Sequence, residues 1–593
     1  MGRLGDLMRD GLLKLVLLCG ICPFVGMGGV HKGGHVETID GIPWWTDGNT
    51  IDVEDISNVG EDCLRFVRIP SRVAGIAGWT VGDGLSGCTN LQHLVVSEGI
   101  TNISVRAFEN CRNLRHVDFP SSLENVGRLA FYGCDKIREL TFHGGLRRIR
   151  AFAFAGCTGL TRIVFAEGLS KISAGAFYGC HSLGDFKFPE SLNSIGDRAF
   201  YSCSSLQSVE MPSHLTSLGD SVFARCSSLT RCKLSPGLGL IPNGMFEECT
   251  SLKGVTLPSS VTNVCARAFF GCSALCECNL PEGIQELGES CFAYDVVLEK
   301  LQFPSSLARI GENALCGCKG MISLTVCPSN ETFAISRGGE LLDRTGNLHF
   351  VLGEGKHRIL SEGVVRVCSG AFSTQGKIRS LTLPRTTRVV DEGVFNPCSS
   401  LENIFVVSGN AAYQSEEGVL LTKDGRILVR VPLARRAVDI PDFVTTVDKG
   451  AFEGCAGLTA IKIPATVSLV DRYAFHDCVS LQEVVFSTRR LVLDDGAFNG
   501  CVQLKKVWFP LHMSRLELRY GVFQECASLE HISFPMGLMG VPALTFLGCT
   551  RLKTVRLPET ILARDADALK EALPQGCELD VLRLNEEREG AAP

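Results

Sequence analysis

Cysteine is the residue whose spacing most invites a chemical interpretation in this chain of 593 residues, which contains 28 cysteines. Nine of them follow each other at a constant step of 23 residues: Cys88, Cys111, Cys134, Cys157, Cys180, Cys203, Cys226, Cys249 and Cys272. Zinc sites usually require two spaced Cys-x-x-Cys or Cys/His pairs, and no such combination occurs here. Sixteen cysteines hold this position in all, and we interpret them as small core residues with inert, buried thiols.

Five cysteines outside that position are concentrated in one region of the sequence. They are Cys265, Cys276, Cys278, Cys291 and Cys316. A metal site is the weaker interpretation of this group, and one or two disulfides are the stronger one if the protein is exported to an oxidising compartment. So many thiols are compatible with such a compartment only where they are buried.

Two glycine motifs resemble nucleotide-binding sequences but lack the required context. The Gly-x-Gly-x-x-Gly string at residues 82–87 is followed at once by a further repeat strand, not by the helix of a dinucleotide-binding unit. After Gly376 and Lys377, Ile378 stands where a phosphate-binding loop needs Ser or Thr. Metalloprotease and nucleophile-elbow motifs are missing as well, so the sequence predicts a protein that is not an enzyme and needs no cofactor or metal.

The repeat itself explains the cysteine spacing. Phenylalanines keep the same step from Phe108 to Phe292, each three residues before a cysteine position. The pattern Leu-x-x-apolar-x-apolar follows that position and alternates as in a half-buried strand. Pro120 illustrates the residue that ends the strand, because proline has no amide hydrogen. One unit cannot bury its own apolar face, but stacked units can. The sequence predicts a solenoid of about 19 units from Leu64 to Pro558, a curved rod on the order of 90 Å long at a strand spacing of about 4.8 Å.

The full pattern, Leu-x-x-Leu-x-Leu-Pro-x-x-Leu-x-x-Ile-Gly-x-x-Ala-Phe-x-x-Cys, resembles the treponemal or BspA-like class of leucine-rich repeats over residues 61–560. The resemblance implies a right-handed leucine-rich-repeat solenoid with a parallel β-sheet on its concave face. It also implies export to a cell surface, with roles in adhesion and in binding host proteins.

Two insertions interrupt the period, near residues 327–361 and 407–441. The intervals from Cys318 to Gln375 and from Cys398 to Cys455 are both 57 residues, which is one unit plus 34. Each insertion contains a Thr-Gly or Asp-Gly turn and is predicted to form a β-hairpin. A projecting contact element and a simple extension of the sheet edge are both consistent with this pattern. Asp295 occupies one cysteine position without disturbing the register.

The two ends of the chain differ from the repeats. Basic residues precede an apolar run from Leu15 to Val25, which is too short to span a membrane, so residues 1–28 are predicted to be a signal peptide cleaved near Gly28. An apolar amino-terminal helix is the alternative, and the residues before Cys19 and Cys22 do not fit a lipid anchor. We predict an amino-terminal cap over residues 29–60. A carboxy-terminal cap and tail over residues 561–593 would contain a helix at 562–573 and a strand at 578–584.

The exposed positions of the repeat strands are the predicted working surface. In the amino-terminal half they are polar and of mixed charge, which is typical of a solvated face. Toward the carboxy terminus they form a predicted partner-binding patch of aromatic, apolar and cationic residues: Phe405, Lys462, Val485, Lys506, Trp508, His531 and Arg556. Exposed aromatic residues beside cations are common at binding hot spots. The alternative is that an insertion or the cap covers the aromatic side chains.

Composition limits the class of partner. A net charge of -6 and a pI of about 6.1 argue against general nucleic-acid binding, and no run after the amino terminus is long enough to span a membrane. The sequence therefore predicts a non-catalytic, exported adhesin that binds a host matrix or cell-surface protein. A periplasmic or intracellular structural scaffold without a host ligand is the alternative.

Overall fold

The computed structural model describes residues 35–39, 42–46, 50–53, 65–69, 79–81, 85–510, 513–561, 573–574 and 576–582. The predicted signal peptide and its cleavage site near Gly28 lie outside these residues, as do residues 562–572 of the predicted carboxy-terminal helix. Clustering of contacts divides the chain into two compact units, Met1–Ser205 and Leu206–Pro593. Both units are built from the same kind of turn.

Each turn contains two short parallel strands, which we call first-row and second-row strands. A first-row strand follows the Cys-x-x-Leu segment, and a second-row strand precedes the Ala-Phe segment. The described part of the chain makes about 21 such turns with almost no helix, which confirms the predicted leucine-rich-repeat solenoid. Helical residues at the carboxy-terminal end of the described repeats are limited to 559–561. The described part of the chain contains no helix long and apolar enough to cross a membrane.

The amino-terminal unit begins with three antiparallel strands and continues in two parallel rows. The antiparallel strands are β1 (His35–Ile39), β2 (Ile42–Thr46) and β3 (Thr50–Val53). The first row contains β4 (Phe66–Ile69), β6 (His93–Val96), β8 (His116–Asp118), β10 (Glu139–Thr141) and β12 (Arg162–Val164). The second row contains β5 (Trp79–Val81), β7 (Ile100–Ile103), β9 (Asn125–Val126), β11 (Arg148–Ile149), β13 (Lys171–Ile172) and β14 (Ser194–Ile195). Because β3 pairs in parallel with β5, the antiparallel strands extend the second row within the predicted cap.

The carboxy-terminal unit has the same two rows, interrupted by the insertions. Its first row contains β15 (Ser208–Glu210), β17 (Arg231–Lys233), β19 (Gly254–Thr256), β21 (Glu277–Asn279), β23 (Lys300–Phe303), β25 (Ser323–Val326), β29 (His357–Ile359), β31 (Ser380–Leu383), β33 (Asn403–Val406), β38 (Ala460–Ile463), β40 (Glu483–Phe486), β42 (Lys506–Trp508), β44 (His531–Ser533), β45 (Thr554–Pro558) and β46 (Glu578–Leu582). Its second row contains β16 (Ser217–Leu218), β18 (Leu240–Ile241), β20 (Asn263–Val264), β22 (Glu286–Leu287), β24 (Arg309–Ile310), β28 (Asn347–Val351), β30 (Arg366–Val367), β32 (Val389–Val390), β36 (Ile427–Arg430), β37 (Thr446–Val447), β39 (Leu469–Val470), β41 (Arg490–Leu493) and β43 (Arg515–Leu518). Strand β46, predicted from sequence over residues 578–584, pairs in parallel with β45.

The core of each unit contains a column of stacked phenylalanines. Phe154 and Phe177 lie 5.4 Å apart between ring centroids with an interplanar angle of 6°, and Phe475 and Phe498 lie 4.8 Å apart at 8°. These rings are fully buried. Their separation is close to the strand spacing of about 4.8 Å, so each ring packs on its equivalent in the next turn.

The repeat cysteines form a second column beside the phenylalanines. All sixteen are buried, which confirms their assignment to the core. Their thiols donate hydrogen bonds to the backbone carbonyl of a Phe in the preceding turn at 3.1–3.4 Å, as recorded for Cys134, Cys157, Cys180, Cys203, Cys249, Cys272, Cys318, Cys478, Cys501, Cys526 and Cys549. Burial raises the pKa of Cys180 and Cys549 to about 12 and raises the pKa of Cys478 and Cys526 well above its usual value. Neutral thiols are weak nucleophiles, so the column is chemically inert.

Both insertions contain the predicted hairpins. The first has the antiparallel strands β26 (Phe333–Ile335) and β27 (Glu340–Asp343), and β27 also pairs with β28. The second has β34 (Tyr413–Glu416) and β35 (Val419–Thr422), and β35 pairs with β36. After each hairpin the chain completes a shortened turn, because β28 and β36 pair in parallel with the second-row strands β30 and β37. These two extra turns account for the difference between about 21 observed turns and the 19 predicted.

One asparagine anchors each insertion in the same way. The side-chain amide of Asn330 donates to the carbonyls of Pro304 and Leu307 at 2.8 and 3.0 Å. That of Asn410 donates to Pro384 and Thr387 at 2.8 and 3.0 Å. Both side-chain oxygens accept two backbone amides at 2.8 Å. Because the two copies share this anchor, each hairpin leaves the solenoid at the same point of a turn.

Replacing one ring of the phenylalanine column should weaken several turns together. We expect Phe475→Ala to destabilise its turns by about 3–5 kcal/mol, because it removes a buried ring and leaves a cavity between Phe452 and Phe498. Hydrogen exchange of peptides covering residues 452–498 measures this, since unfolding of a long repeat protein need not be two-state. Val479→Ala, at a position that is 38% exposed, is the control and should change exchange little. Equal exchange in the two variants would contradict the stacking argument.

Candidate functional site

Three of the predicted patch residues form one line across adjacent first-row strands. Lys462 of β38 pairs with Val485 of β40, and Val485 pairs with Trp508 of β42. Each is adjacent to a buried strand residue, so its side chain lies on the solvent side of the sheet. We call these three residues the Trp508 line. The line exists because the parallel register repeats without a shift across these strands.

A hydrogen bond holds the indole of Trp508 in place. Its Nε1 donates to Oε1 of Glu483 on the adjacent strand at 2.7 Å, and the ring is half-buried. Glu483 is itself in register with Lys506. The bond therefore occupies one oxygen of the Glu483 carboxylate, which lies opposite Lys506. It also immobilises the amphipathic ring of Trp508 at the surface. A side chain that is already ordered loses little entropy when a partner binds to it.

The cationic residues of the predicted patch are not equivalent. Lys462 and Lys506 are exposed, and neither forms an ion pair with the part of the chain that the structure describes. His531 is exposed on β44, which lies next to β42. The Nε of Arg556, by contrast, donates to Oδ2 of Asp580 at 2.9 Å. The charge that remains available to a partner is thus concentrated at Lys506, two residues before Trp508 on β42, and at Lys462, two strands away on β38.

Phe405 lies in another sheet and does not extend the Trp508 line. It belongs to the sheet of β29, β31 and β33, where it pairs with Thr382 and follows Ile359 in one row. At the other edge of β33, the amide of Ile404 donates to the carbonyl of Gly418 in the second insertion at 2.8 Å. The insertion therefore replaces the next first-row strand, which sequence spacing alone did not show.

The row of Phe405 contains an exposed apolar residue that the sequence analysis missed. Ile359 is 74% exposed and Phe405 is 45% exposed, so neither is covered by an insertion. Ile359 lies in the shortened turn after the first insertion, where the 23-residue period no longer identifies strand positions. A search for alternation within the insertions, independent of the period, could have found it.

The amino-terminal first-row strands have a different surface. His93 and His116 stack with ring centroids 4.8 Å apart, and Arg162 lies 3.8 Å from Glu139 in a pair that is mostly exposed. Exposed ion pairs of this kind contribute little free energy. Charges that compensate each other along the row agree with the expectation of a solvated face.

The shortened turns leave two small clefts at equivalent places. The first has a volume of about 160 Å³ and is lined by residues that include His349, Arg366 and Asp391. The second, of about 140 Å³, includes Arg430 and Lys449 in its lining. The charges in each are largely paired: Arg366 lies 2.9 Å from Asp391, and Lys449 lies 2.6 Å from Glu392. Both clefts are smaller than an ordinary ligand pocket, which is about 300–1,000 Å³.

The five clustered cysteines do not form disulfides. Cys278 and Cys291 are buried, Cys265 and Cys316 are partly buried, and Cys276 is exposed, all as free thiols. The predicted one or two disulfides are therefore not found here. Among the described residues, no group of three or more His, Cys, Asp or Glu side chains is arranged to hold a metal ion. The described part of the glycine string, residues 85–87, forms a turn.

The fold and the repeating core define a leucine-rich-repeat solenoid, and the family model for the BspA type leucine rich repeat region matches six stretches of the chain. These are residues 83–206, 148–268, 239–335, 356–416, 435–552 and 516–574. The chain therefore belongs to the BspA-type leucine-rich repeat family. No curated protein matches the chain.

Several solved structures are similar to this chain. A leucine-rich repeat protein from Bacteroides ovatus ATCC 8483 is 18% identical, with a TM-score of 0.38 and coverage of 93% of this chain and 99% of that one. A leucine rich cell surface protein from Faecalibacterium prausnitzii A2-165 is also 18% identical, with a TM-score of 0.30 and coverage of 88% and 95%. A leucine-rich repeat protein of T. pallidum is 21% identical, with a TM-score of 0.20 and coverage of 48% and 91%.

The bond between Trp508 and Glu483 can be tested by fluorescence. We expect Glu483→Ala to make Trp508 more accessible to acrylamide, because the indole loses the acceptor that immobilises it. The contribution of Trp508 is obtained by subtracting the emission of the matching Trp508→Phe variant, since the chain has three other tryptophans. Unchanged quenching of Trp508 in Glu483→Ala would show that packing alone holds the ring.

Proposed function

We propose that the protein is an exported, non-catalytic scaffold that binds another protein through the Trp508 line, and that the partner is a host matrix or cell-surface protein. The observation that carries the proposal is an immobilised surface Trp that shares its strand with the exposed Lys506 and its cross-strand line with the exposed Lys462. Leucine-rich-repeat solenoids typically act as binding scaffolds rather than enzymes, and membership of the BspA-type family supports a role at a cell surface.

The geometry of the Trp508 line favours a partner of particular chemistry. Val485 and Trp508 offer apolar contact area in register, whereas Lys462 and Lys506 offer exposed cationic groups that form no ion pair within the described part of the chain. An acidic segment with at least one large apolar side chain matches both features. Because the strands are fixed in a continuous sheet, little backbone entropy is lost on binding, and modest contacts on successive turns add up.

The rival is a periplasmic or intracellular structural scaffold that has no host ligand. One observation favours it: all described cysteines are free, including the exposed Cys276. Free thiols persist in reducing compartments and are oxidised more readily outside the cell. Burial protects the repeat cysteines in either location, so the exposed thiol is the informative one.

Binding should depend on the Trp508 line and not on general surface charge. We expect Trp508→Ala, and separately the pair Lys462→Glu and Lys506→Glu, to weaken binding about 30-fold, equivalent to about 2 kcal/mol, as at other hot spots. The measurement is surface plasmon resonance against a panel of purified extracellular-matrix proteins. Lys187→Glu makes half of that charge change on the amino-terminal unit, where Lys187 is exposed, and should leave affinity unchanged. Equal losses in Lys187→Glu, or none in Trp508→Ala, would exclude this surface.

Export is tested separately from binding. We expect the mature chain to begin near Gly28 and to be cleaved when protease is added to intact cells. Sequencing of the amino terminus and immunoblotting of treated cells measure the two properties, with a cytoplasmic protein as the control for lysis. An uncleaved chain that resists protease in intact cells would support the internal scaffold instead.

A further inference from the structure

One position of the cysteine column holds a carboxylic acid. Asp295 stands 23 residues after Cys272 and 23 before Cys318, and it is fully buried. Its backbone follows the pattern of the column, because its amide donates to the carbonyl of Phe292 at 3.3 Å as Cys318 donates to that of Leu315 at 3.3 Å. The turn thus accepts Asp in place of Cys without a change of backbone path.

The role of this position defines what its side chain has to do. The thiols of the neighbouring turns donate to phenylalanine carbonyls: Cys272 to Phe246 and Cys318 to Phe292, both at 3.1 Å. By the same spacing, the acceptor available to residue 295 is the carbonyl of Phe269. A protonated carboxyl can donate a hydrogen bond to a carbonyl, whereas a carboxylate can only accept. An ionised Asp295 would therefore place two acceptors against each other.

The surroundings offer the ionised form little compensation. The backbone amide of Cys272 favours it, but less than burial disfavours it, and neither carboxyl oxygen of Asp295 forms a hydrogen bond. The titratable groups that face it are four buried thiols, Cys272 in the preceding turn, Cys278 on β21, Cys291 in its own turn and Cys318 in the following turn. No lysine, arginine or histidine of the described chain acts on it. An unpaired charge in such a place is strongly unfavourable.

A second departure from cysteine in the column shows what the position requires. Gln375 holds the column position after the first insertion and is also buried. Its Nε2 donates to the carbonyls of Val351 and Gly353 at 3.0 and 2.8 Å. Gln375 shows that a neutral side chain that donates to backbone carbonyls is accepted at a column position, although its Oε1 has no hydrogen-bond partner. Asp295 differs from Gln375 in that it can lose the proton it would donate.

We infer that Asp295 is a proton-dependent joint in the solenoid: the turns from Cys272 to Cys318 close around its neutral carboxyl and open locally when that proton is lost. The scaffold would then be continuous in mildly acidic surroundings and would become locally mobile, with newly accessible thiols, as the pH rises.

The direction of the pH effect follows from the two states of the chain. Burial raises the pKa of Asp295 well above its usual value, against a weaker opposing effect of the Cys272 amide. In the open state the carboxyl has an ordinary pKa of about 4. Below a pH of about 4 the closed state has its full stability. Between the ordinary pKa of the open state and the raised pKa of the closed state, the equilibrium constant for opening rises about tenfold for each pH unit. Above the raised pKa of Asp295 it reaches a plateau.

Hydrogen exchange of the full chain tests the joint between pH 5 and pH 8, after correction for the intrinsic exchange rate at each pH. In the natural protein, we expect peptides covering residues 269–300 to open about tenfold more for each pH unit, until the plateau is reached. Asp295→Cys restores the column residue and Asp295→Asn keeps a neutral donor of the same size. In both variants the opening of these peptides should not depend on pH.

Thiol labelling gives a second readout with an internal control. The rate at which iodoacetamide labels Cys272 and Cys318 is divided by the rate for Cys478 and Cys501, which occupy the same column far from Asp295, so the general effect of pH on thiolate formation cancels. We expect this ratio to rise with pH in the natural protein and to stay constant in Asp295→Cys. If the natural protein and Asp295→Cys show the same pH dependence in both measurements, the joint does not exist. Because Asp295→Cys returns the site to the common residue, its result decides the matter even if Asp295→Asn folds poorly.

Discussion

The contact between equivalent residues of successive turns is the interaction on which the rest of the structure depends. A single turn has two strands of two to five residues, which is too little to bury a core of its own. Stacking supplies that core, because phenylalanine rings of successive turns cover one another and column thiols donate to carbonyls of the preceding turn, as at Phe154, Phe177 and Cys180. Exposed residues are free to vary as long as these columns continue, so the exposed surface and the stability of the scaffold are specified by different positions of the same repeat.

The insertions show how the columns tolerate interruption. Each hairpin leaves from an anchored Asn and returns to a shortened turn whose second-row strand pairs in register with the next one. In the second copy, Arg430 is buried and its Nη2 donates to Asn396 Oδ1 at 2.6 Å and to the carbonyl of Glu453 at 3.0 Å. These bonds join the turns on the two sides of the insertion. In the first copy the corresponding residue is the buried Phe350. Two chemically different side chains therefore occupy the same position of the shortened turn, Arg430 with hydrogen bonds and Phe350 with apolar packing.

Most of the fold could be predicted because its determinants are local and periodic. The 23-residue step located the buried cysteines, the phenylalanine column and the alternation that places Lys462, Val485 and Trp508 on the solvent side. The step could not show which exposed residues are neighbours once the period is broken, since neighbours then depend on strand pairing between distant segments. Phe405 was grouped with Trp508 for this reason, although the second insertion lies against its strand. The bond from Trp508 to Glu483 was missed because it joins positions 25 residues apart, a spacing that reflects side-chain reach across the sheet.

The same reasoning explains why the residue at a column position can be replaced, whereas the residues of a line such as the Trp508 line have to stay on consecutive strands. A column position requires only a small or medium-sized neutral side chain that donates to a carbonyl, and Cys, Gln and protonated Asp all meet that condition. A binding line requires specific groups on consecutive strands in unbroken register, a condition that holds from β38 through β42 and fails where an insertion takes the place of a strand. The insertions thus divide the first-row surface of the carboxy-terminal unit into separate groups of strands, which we call windows. One window contains β29, β31 and β33, and the next begins at β38. A partner that needs contacts on several consecutive turns has to fit within one window. The site proposed for this protein lies in the window that begins at β38, where apolar and cationic groups share the Trp508 line.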